Sequence, residues 1–119
     1  MLLFDVSHLH VKELAPGLKG KFILTKNHSV AFWNMTRQTV IHNRECEFET
    51  LLVVLEGKLM LTINHETCEI NPGMGIFLPP NEKYSIRTTV NCSGIDITVP
   101  ERRIKKNGSG KMIWAPMPA

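Results

Sequence analysis

The chain carries few residues able to do chemistry, and most of them stand in or beside short apolar runs. Arg44 and Cys46 are two apart, Thr50 follows four residues later, and Tyr84 is the only tyrosine. Asp96 and Arg102 stand six apart around the end of the last long apolar run. A guanidinium can hold a carboxylate or an enolate oxygen in forked geometry. A phenol can donate one hydrogen bond to a carbonyl or hydroxyl. A carboxylate placed in apolar surroundings has its pKa raised into a range useful for proton transfer. Cys46 is a nucleophile only as a thiolate, and no histidine adjoins it in sequence, so a buried, unreactive thiol is expected. An Asp and an Arg six apart near a strand end read equally as a structural salt bridge and as a functional pair. His8-Leu9-His10 has i, i+2 spacing, which puts both rings on one face of a strand. Two imidazoles are half a metal site, and a polar strand edge is the expectation there. His28 reads as a loop residue and His65 as a solvated turn residue.

These residues are positioned by strands. Val, Ile, Leu, Thr and Phe fill short runs punctuated by Gly and Pro. The runs predict strands at Lys21 to Leu24, Ser29 to Met35, Thr39 to His42, Thr50 to Glu56, Lys58 to Ile63, Thr67 to Ile70, Gly75 to Leu78, Tyr84 to Thr89 and Ser93 to Val99. No long segment has helical period, and only Val6 to Leu14 has room for a helical turn. Gly57 breaks the longest apolar run and can take a positive φ without steric cost. Asn64-His65 predicts a tight hairpin, and Asn71-Pro72-Gly73 closes the next strand. Many short strands with turn signals between them predict an all-β fold, closed or double-sheeted.

With 119 residues the chain reads as one domain, long enough to bury a core without disulfides. A hydrophobic share of 43% against 21% charged fits a globular protein, and no run is long enough to span a bilayer. No membrane partner and no secretory leader are expected. Cys46, Cys68 and Cys92 are odd in number and widely spaced, which fits reduced thiols in the cytoplasm. The net charge of +3 is concentrated in Arg102, Arg103, Lys105, Lys106 and Lys111. No aromatics interleave with those charges, so a solvated basic stretch is expected rather than a nucleic-acid partner. Residues 104–119 read as that basic stretch followed by an apolar tail.

Several landmarks recur together. Arg44 to Thr50 precede the apolar run Leu51 to Leu55 and then Gly57. Asn71-Pro72-Gly73 and Leu78-Pro79-Pro80-Asn81 frame a second run, and Asp96-Ile97-Thr98-Val99-Pro100-Glu101-Arg102 closes the pattern. The chain resembles a small single-domain cupin over roughly residues 17–103. The ending is similar to the Asp-x-Phe-x-Pro-x-Arg of cupins of the pectin-degradation and polyketide-cyclase type, with Thr98 in place of Phe. The resemblance implies a cupin-type double-stranded β-helix, a jelly-roll barrel. Cupins normally carry two His, a Glu or Gln, and a third His at four positions, which here hold Arg44, Cys46, Thr50 and Tyr84. Met74 stands where the family often has Asp, and Asn81 where it often has Gly. The resemblance therefore implies a scaffold without its usual metal site, and neither a metal nor another cofactor is expected. His42, two before Arg44, is placed to reach the barrel mouth.

Strand alternation then orders the lining that the resemblance implies. If Thr50 faces the cavity, so do Leu52 and Val54; Tyr84 brings Ile86, Trp33 brings Met35, and Asp96 brings Thr98. The expected cavity is apolar with polar anchors at Arg44, Cys46, Thr50, Tyr84 and Asp96. Asp96 is expected as the catalytic acid–base group, with Tyr84 and Arg44 at an oxygen of the substrate and Arg102 as a further anchor. The expected function is metal-independent binding of a small organic ligand, with isomerisation, dehydration or cyclisation of a carbonyl compound as the enzymatic form. The alternative is a non-catalytic regulatory domain, because Leu51 to Tyr84 is also similar to the sensor half of arabinose-type transcription regulators. A barrel whose cavity is filled is a third reading. A homodimer built on the apolar chain ends is the expected assembly.

Overall fold

A computed structural model describes residues 3–98 together with the backbone of residues 104–106 and 112–114. One 3-10 turn, Val6–His8, precedes the strands. The strands are β1 (Val11–Ala15), β2 (Leu18–Leu24), β3 (Ser29–Met35), β4 (Thr39–Arg44), β5 (Thr50–Glu56) and β6 (Leu59–Ile63). They continue as β7 (Glu66–Ile70), β8 (Gly75–Leu78), β9 (Tyr84–Thr88), β10 (Cys92–Thr98), β11 (Ile104–Lys106) and β12 (Met112–Trp114). One sheet runs β1-β2-β3-β10-β5-β8 and the other β4-β9-β6-β7, while β11 pairs with β12. All the pairings are antiparallel.

Alternation sets the inside. Thr50, Leu52 and Val54 are buried on β5, and Tyr84, Ile86 and Thr88 on β9. Leu59 and Leu61 of β6 lie beside the β9 residues on the same sheet face, and Trp33 and Met35 of β3 line the opposite sheet with the β5 residues. The core thus lies between the two sheets, as period-2 burial in a double-sheet fold requires. Its most tightly enclosed side chains are Met35, Leu59, Leu61, Leu78 and Val54. Register assigns the two ends of the large sheet different jobs. Met35 pairs with Cys92 at the packed end, and Ser29 pairs with Thr98 at the other end, where a cavity opens.

Turn chemistry follows backbone need. Asn64 and His65 both have positive φ, 51° and 65°, the pair of angles a type I′ hairpin demands. Asn81 has φ 61°, in the left-handed region that Asn and Gly enter most readily. At Gly94 the requirement is space: an added Cβ would collide with the Trp33 ring and the Val53 carbonyl.

The structure corrects the sequence reading at the N-terminal side. The span Val6 to Leu14 does hold a helical turn, the 3-10 turn Val6–His8, but its second half is extended, since β1 begins at Val11. His8 lies in that turn and His10 before β1, so the two rings do not share a strand face. β1 escaped notice because four of its five residues are exposed, which leaves no half-buried alternation to read. Pro16 and Gly17 make the turn between β1 and β2, and β2 begins at Leu18, three residues before the expected strand at Lys21.

Gly94→Ala is expected to destabilise the protein by about 3 kcal/mol, the upper end of overpacking costs. Gly73→Ala, where φ is +84° but the space is open, should lose only about 1 kcal/mol from backbone strain. Urea unfolding of the two variants checks the order; equal losses would remove the packing argument.

Candidate functional site

A cavity of about 180 Å³ opens between the sheets. Its polar wall is made by Arg44, Cys46, Thr50, Tyr84, Asp96 and Thr98, and its apolar wall by Leu14, Leu18, Phe22, Trp33, Leu52 and Ile86. Ser29, Ala31 and Glu45 complete it. Trp33, Arg44, Cys46, Thr50, Leu52, Tyr84, Ile86 and Asp96, scattered over more than sixty residues, therefore meet around one space. Val54 and Met35, expected on the same faces, belong instead to the packed core. Arg102 lies outside the described residues.

Asp96 sits on β10, the central strand between β3 and β5. It pairs with Ala31 across the ladder, and Trp33 pairs with Gly94. Trp33 is thus the diagonal neighbour of Asp96, within reach of a long aromatic side chain. Because Gly94 has no side chain, the indole can lie against β10, and its Nε1–H donates to Asp96 Oδ1 at 2.9 Å. Burial raises the Asp96 pKa from 3.8 to about 6, opposed by the Trp33 hydrogen bond and by the Arg44 charge. Its carboxyl therefore changes charge in the range where proton transfer at neutral pH is efficient.

Arg44 reaches the cavity through a β-bulge. From Ile41 to Arg44 the strand advances three residues while β9 advances two, from Ile86 to Tyr84. Asn43 lies within this step at φ 55°. Without the extra residue, Arg44 would share the outer face with Val40 and His42. With it, Arg44 joins Ile41 on the inner side, a common use of bulges beside functional sites. His42 is consequently exposed and does not reach the mouth, contrary to the expectation from its spacing. Arg44 Nε donates to the Tyr84 hydroxyl at 3.2 Å. Burial raises the Tyr84 pKa, opposed by Arg44, so the phenol is neutral at physiological pH and keeps its own O–H proton to donate. At the rim, Thr50 and Thr98 are cross-strand partners with their hydroxyls 3.4 Å apart.

A sequence model described as the AraC-like ligand binding domain matches residues 29–97, more than half of the chain. The chain belongs to that family. It is a small cupin, and the solved structures it resembles agree. An RmlC-like cupin from Shewanella frigidimarina superposes with TM-score 0.74 at 14% identity, covering 83% of this chain and 90% of that one. The polyketide cyclase RemF from Streptomyces resistomycificus gives 0.72 at 18%, covering 83% and 79%. KdgF from a Halomonas species gives 0.75 at 17%, covering 85% and 96%. At such identities these likenesses establish the jelly-roll fold and nothing finer. No curated protein matches the sequence.

In this cupin the barrel does not offer a metal site of the usual kind. Arg44 has no lone pair for a cation, and Thr50 and Tyr84 are poor ligands for a divalent ion. Among the described residues no three His, Cys, Asp or Glu side chains converge. Cys46 is free and stands without imidazole partners. Sequence reasoning missed Ser29, Ala31 and Glu45, and also Leu14, Leu18 and Phe22, which come from the β1–β2 hairpin. The alternation Leu18-Lys19-Gly20-Lys21-Phe22 carries that signal, since every second residue is uncharged.

Asp96 also makes stability depend on pH. Below about pH 4 the carboxyl is protonated in both folded and unfolded chains. Between about pH 4 and 6 the folded state keeps a proton that the unfolded state sheds, so stability falls as pH rises and the loss is complete above about 6. Asp96→Asn removes that penalty. It is expected to stabilise the protein by about 1–3 kcal/mol at pH 7.5 and to leave it nearly unchanged at pH 4. Thermal unfolding at the two pH values decides this; a variant less stable at pH 7.5 would contradict it.

Proposed function

We propose that the barrel binds a small carbonyl-bearing ligand and moves a proton on it. The observation that carries this reading is the pairing of Asp96, a carboxyl poised near pH 6, with the Arg44–Tyr84 donor pair across an otherwise largely apolar cavity. In the reaction, the Asp96 carboxylate takes a proton from carbon next to the carbonyl. Negative charge develops on the carbonyl oxygen, where Tyr84 O–H and the Arg44 guanidinium supply preorganised positive dipole and charge. Where the substrate carries a β,γ double bond, Asp96 then returns the proton to the γ-carbon as that double bond moves into conjugation with the carbonyl, giving an isomer of the same composition. Dehydration and cyclisation of a carbonyl compound begin with the same proton removal.

A second reading, a non-catalytic ligand-binding domain, is favoured by the description of the matching family. The two are separated by NMR in D₂O with a panel of small ketones and keto acids. Catalysed exchange of α-protons, cut by about 10²- to 10⁴-fold in Asp96→Asn, is the expected result. A compound that binds without accelerated exchange would favour the second reading. The free thiols Cys46, Cys68 and Cys92 support a reducing compartment such as the cytoplasm.

We further propose a homodimer, formed on the outer face of the large sheet. Ile23, Val30, Ile97, Leu51 and Phe77 make one apolar row across five strands, and Phe32, Ile95 and Val53 make the next. Phe77 is 68% exposed and Leu55 49%. Five strands at about 4.8 Å spacing make a face about 24 Å wide. A standard interface takes about 800 Å² from each partner, a patch of similar breadth. A second copy meets this self-complementary face with the same apolar rows. Met1, Leu2 and most of the tail, on which the dimer was first expected, lie outside the described residues. Light scattering should show a dimer that Phe77→Glu converts to monomer; a wild-type monomer at micromolar concentration would rule the dimer out.

A further inference from the structure

We infer that the cavity selects a small monocarboxylate, held on Arg44, and that the ligand enters together with one proton taken up by Asp96. The inference rests on the ligand-binding reading of the cavity and names the chemistry of what is bound. Arg44 carries the argument. It lines the cavity, and its one hydrogen bond among the described residues runs from Nε to Tyr84, a neutral phenol. No described carboxylate lies within 4.0 Å of it. A guanidinium has five N–H donors in a planar fork, so with no carboxylate in ion-pair contact Arg44 has donors suited to a ligand carboxylate.

Asp96 supplies the second half. It shares the cavity with Arg44, and its Oδ1 is held by Trp33. An anion placed on Arg44 therefore sits near a second carboxyl, and two like charges in so small a space disfavour each other. Protonation of Asp96 relieves that repulsion and leaves an O–H to donate. Every element around Asp96 is accounted for in this balance. β4 brings Arg44, β9 brings Tyr84, and the segment after β4 brings Glu45 and Cys46. β2, β3 and β5 bring no ionisable group to the cavity. A burial-raised pKa of about 6 puts the proton uptake near neutrality.

Size sets the rest of the ligand. A cavity of about 180 Å³ is slightly larger than the roughly 150 Å³ apolar cavity that admits benzene, so it takes a ligand portion of about that size. That is a carboxylate with a short carbonyl-bearing tail, its carbon chain against Phe22 and Leu52.

Titration calorimetry with pyruvate and with its neutral amide tests this on the full chain. Pyruvate is expected to bind, and the amide at least tenfold more weakly. An ionised Asp96 repels a carboxylate ligand but not a neutral ketone. For pyruvate only the protonated fraction of Asp96 is therefore competent to bind, while the carboxylate form remains the base toward neutral ketones. Pyruvate should bind roughly thirtyfold more weakly at pH 7.5 than at pH 5. Asp96→Asn should bind at both pH values with nearly equal affinity. Arg44→Gln should lose binding at both, with folding checked by thermal unfolding, and Arg44→Lys should keep part of it. An amide that binds as well as pyruvate would overturn the carboxylate selectivity and leave the binding cavity standing. Pyruvate affinity independent of pH in the wild type would overturn the proton linkage. No saturable binding of either probe at pH 5 would overturn the inference as a whole, while proton exchange on larger ketones would still report on the function proposed above.

Discussion

A carboxylate on the inner face of a central strand has lost most of its water, and it must be hydrogen-bonded, paired or protonated. Asp96 meets that constraint with one indole N–H and a raised pKa. The arrangement needs three residues on two strands. Trp33 must be diagonal to Asp96, Gly94 must be bare for the ring to lie close, and β10 must sit between β3 and β5. The hydrogen bond favours the charged form and burial the neutral one. Their opposition leaves the group able to exist in either state.

The barrel accommodates this polar group by dividing its length. At one end Met35, Val54, Leu59 and Leu78 form a buried aliphatic layer. At the other, threonines, Asp96, Tyr84 and Arg44 replace the aliphatic layer, and the β1–β2 hairpin contributes the apolar side of the cavity rather than filling it. The bulge in β4 completes the polar side by turning Arg44 inward opposite Tyr84. An inward guanidinium would be costly in a sealed core. Beside an open cavity it retains water until a ligand replaces it.

Much of the fold was legible in the chain. The β3, β5 and β8 boundaries follow directly from their apolar runs, and the hairpin at Asn64-His65 follows from residues that tolerate positive φ. β1 was not legible, because an edge strand exposed on nearly all sides has no burial pattern to impose on its sequence. The His8 and His10 pairing failed for a related reason: i, i+2 spacing implies a shared face only where the backbone is extended, and here it turns.

By itself the sequence determined the fold class, through the period-2 apolar runs and the turn residues between them. It also determined the chemical types at the cavity, because a jelly roll superimposes distant strands in a repeatable order. Tertiary structure alone decided which side chains meet. Whether Arg44 points inward depends on one extra residue in a ladder, and a one-residue slip reverses every facing. Whether Asp96 titrates near neutrality depends on burial between two sheets and on an indole brought from sixty-three residues away. Neither is a local property of the chain, since both arise only when separate strands remove the same carboxyl from water.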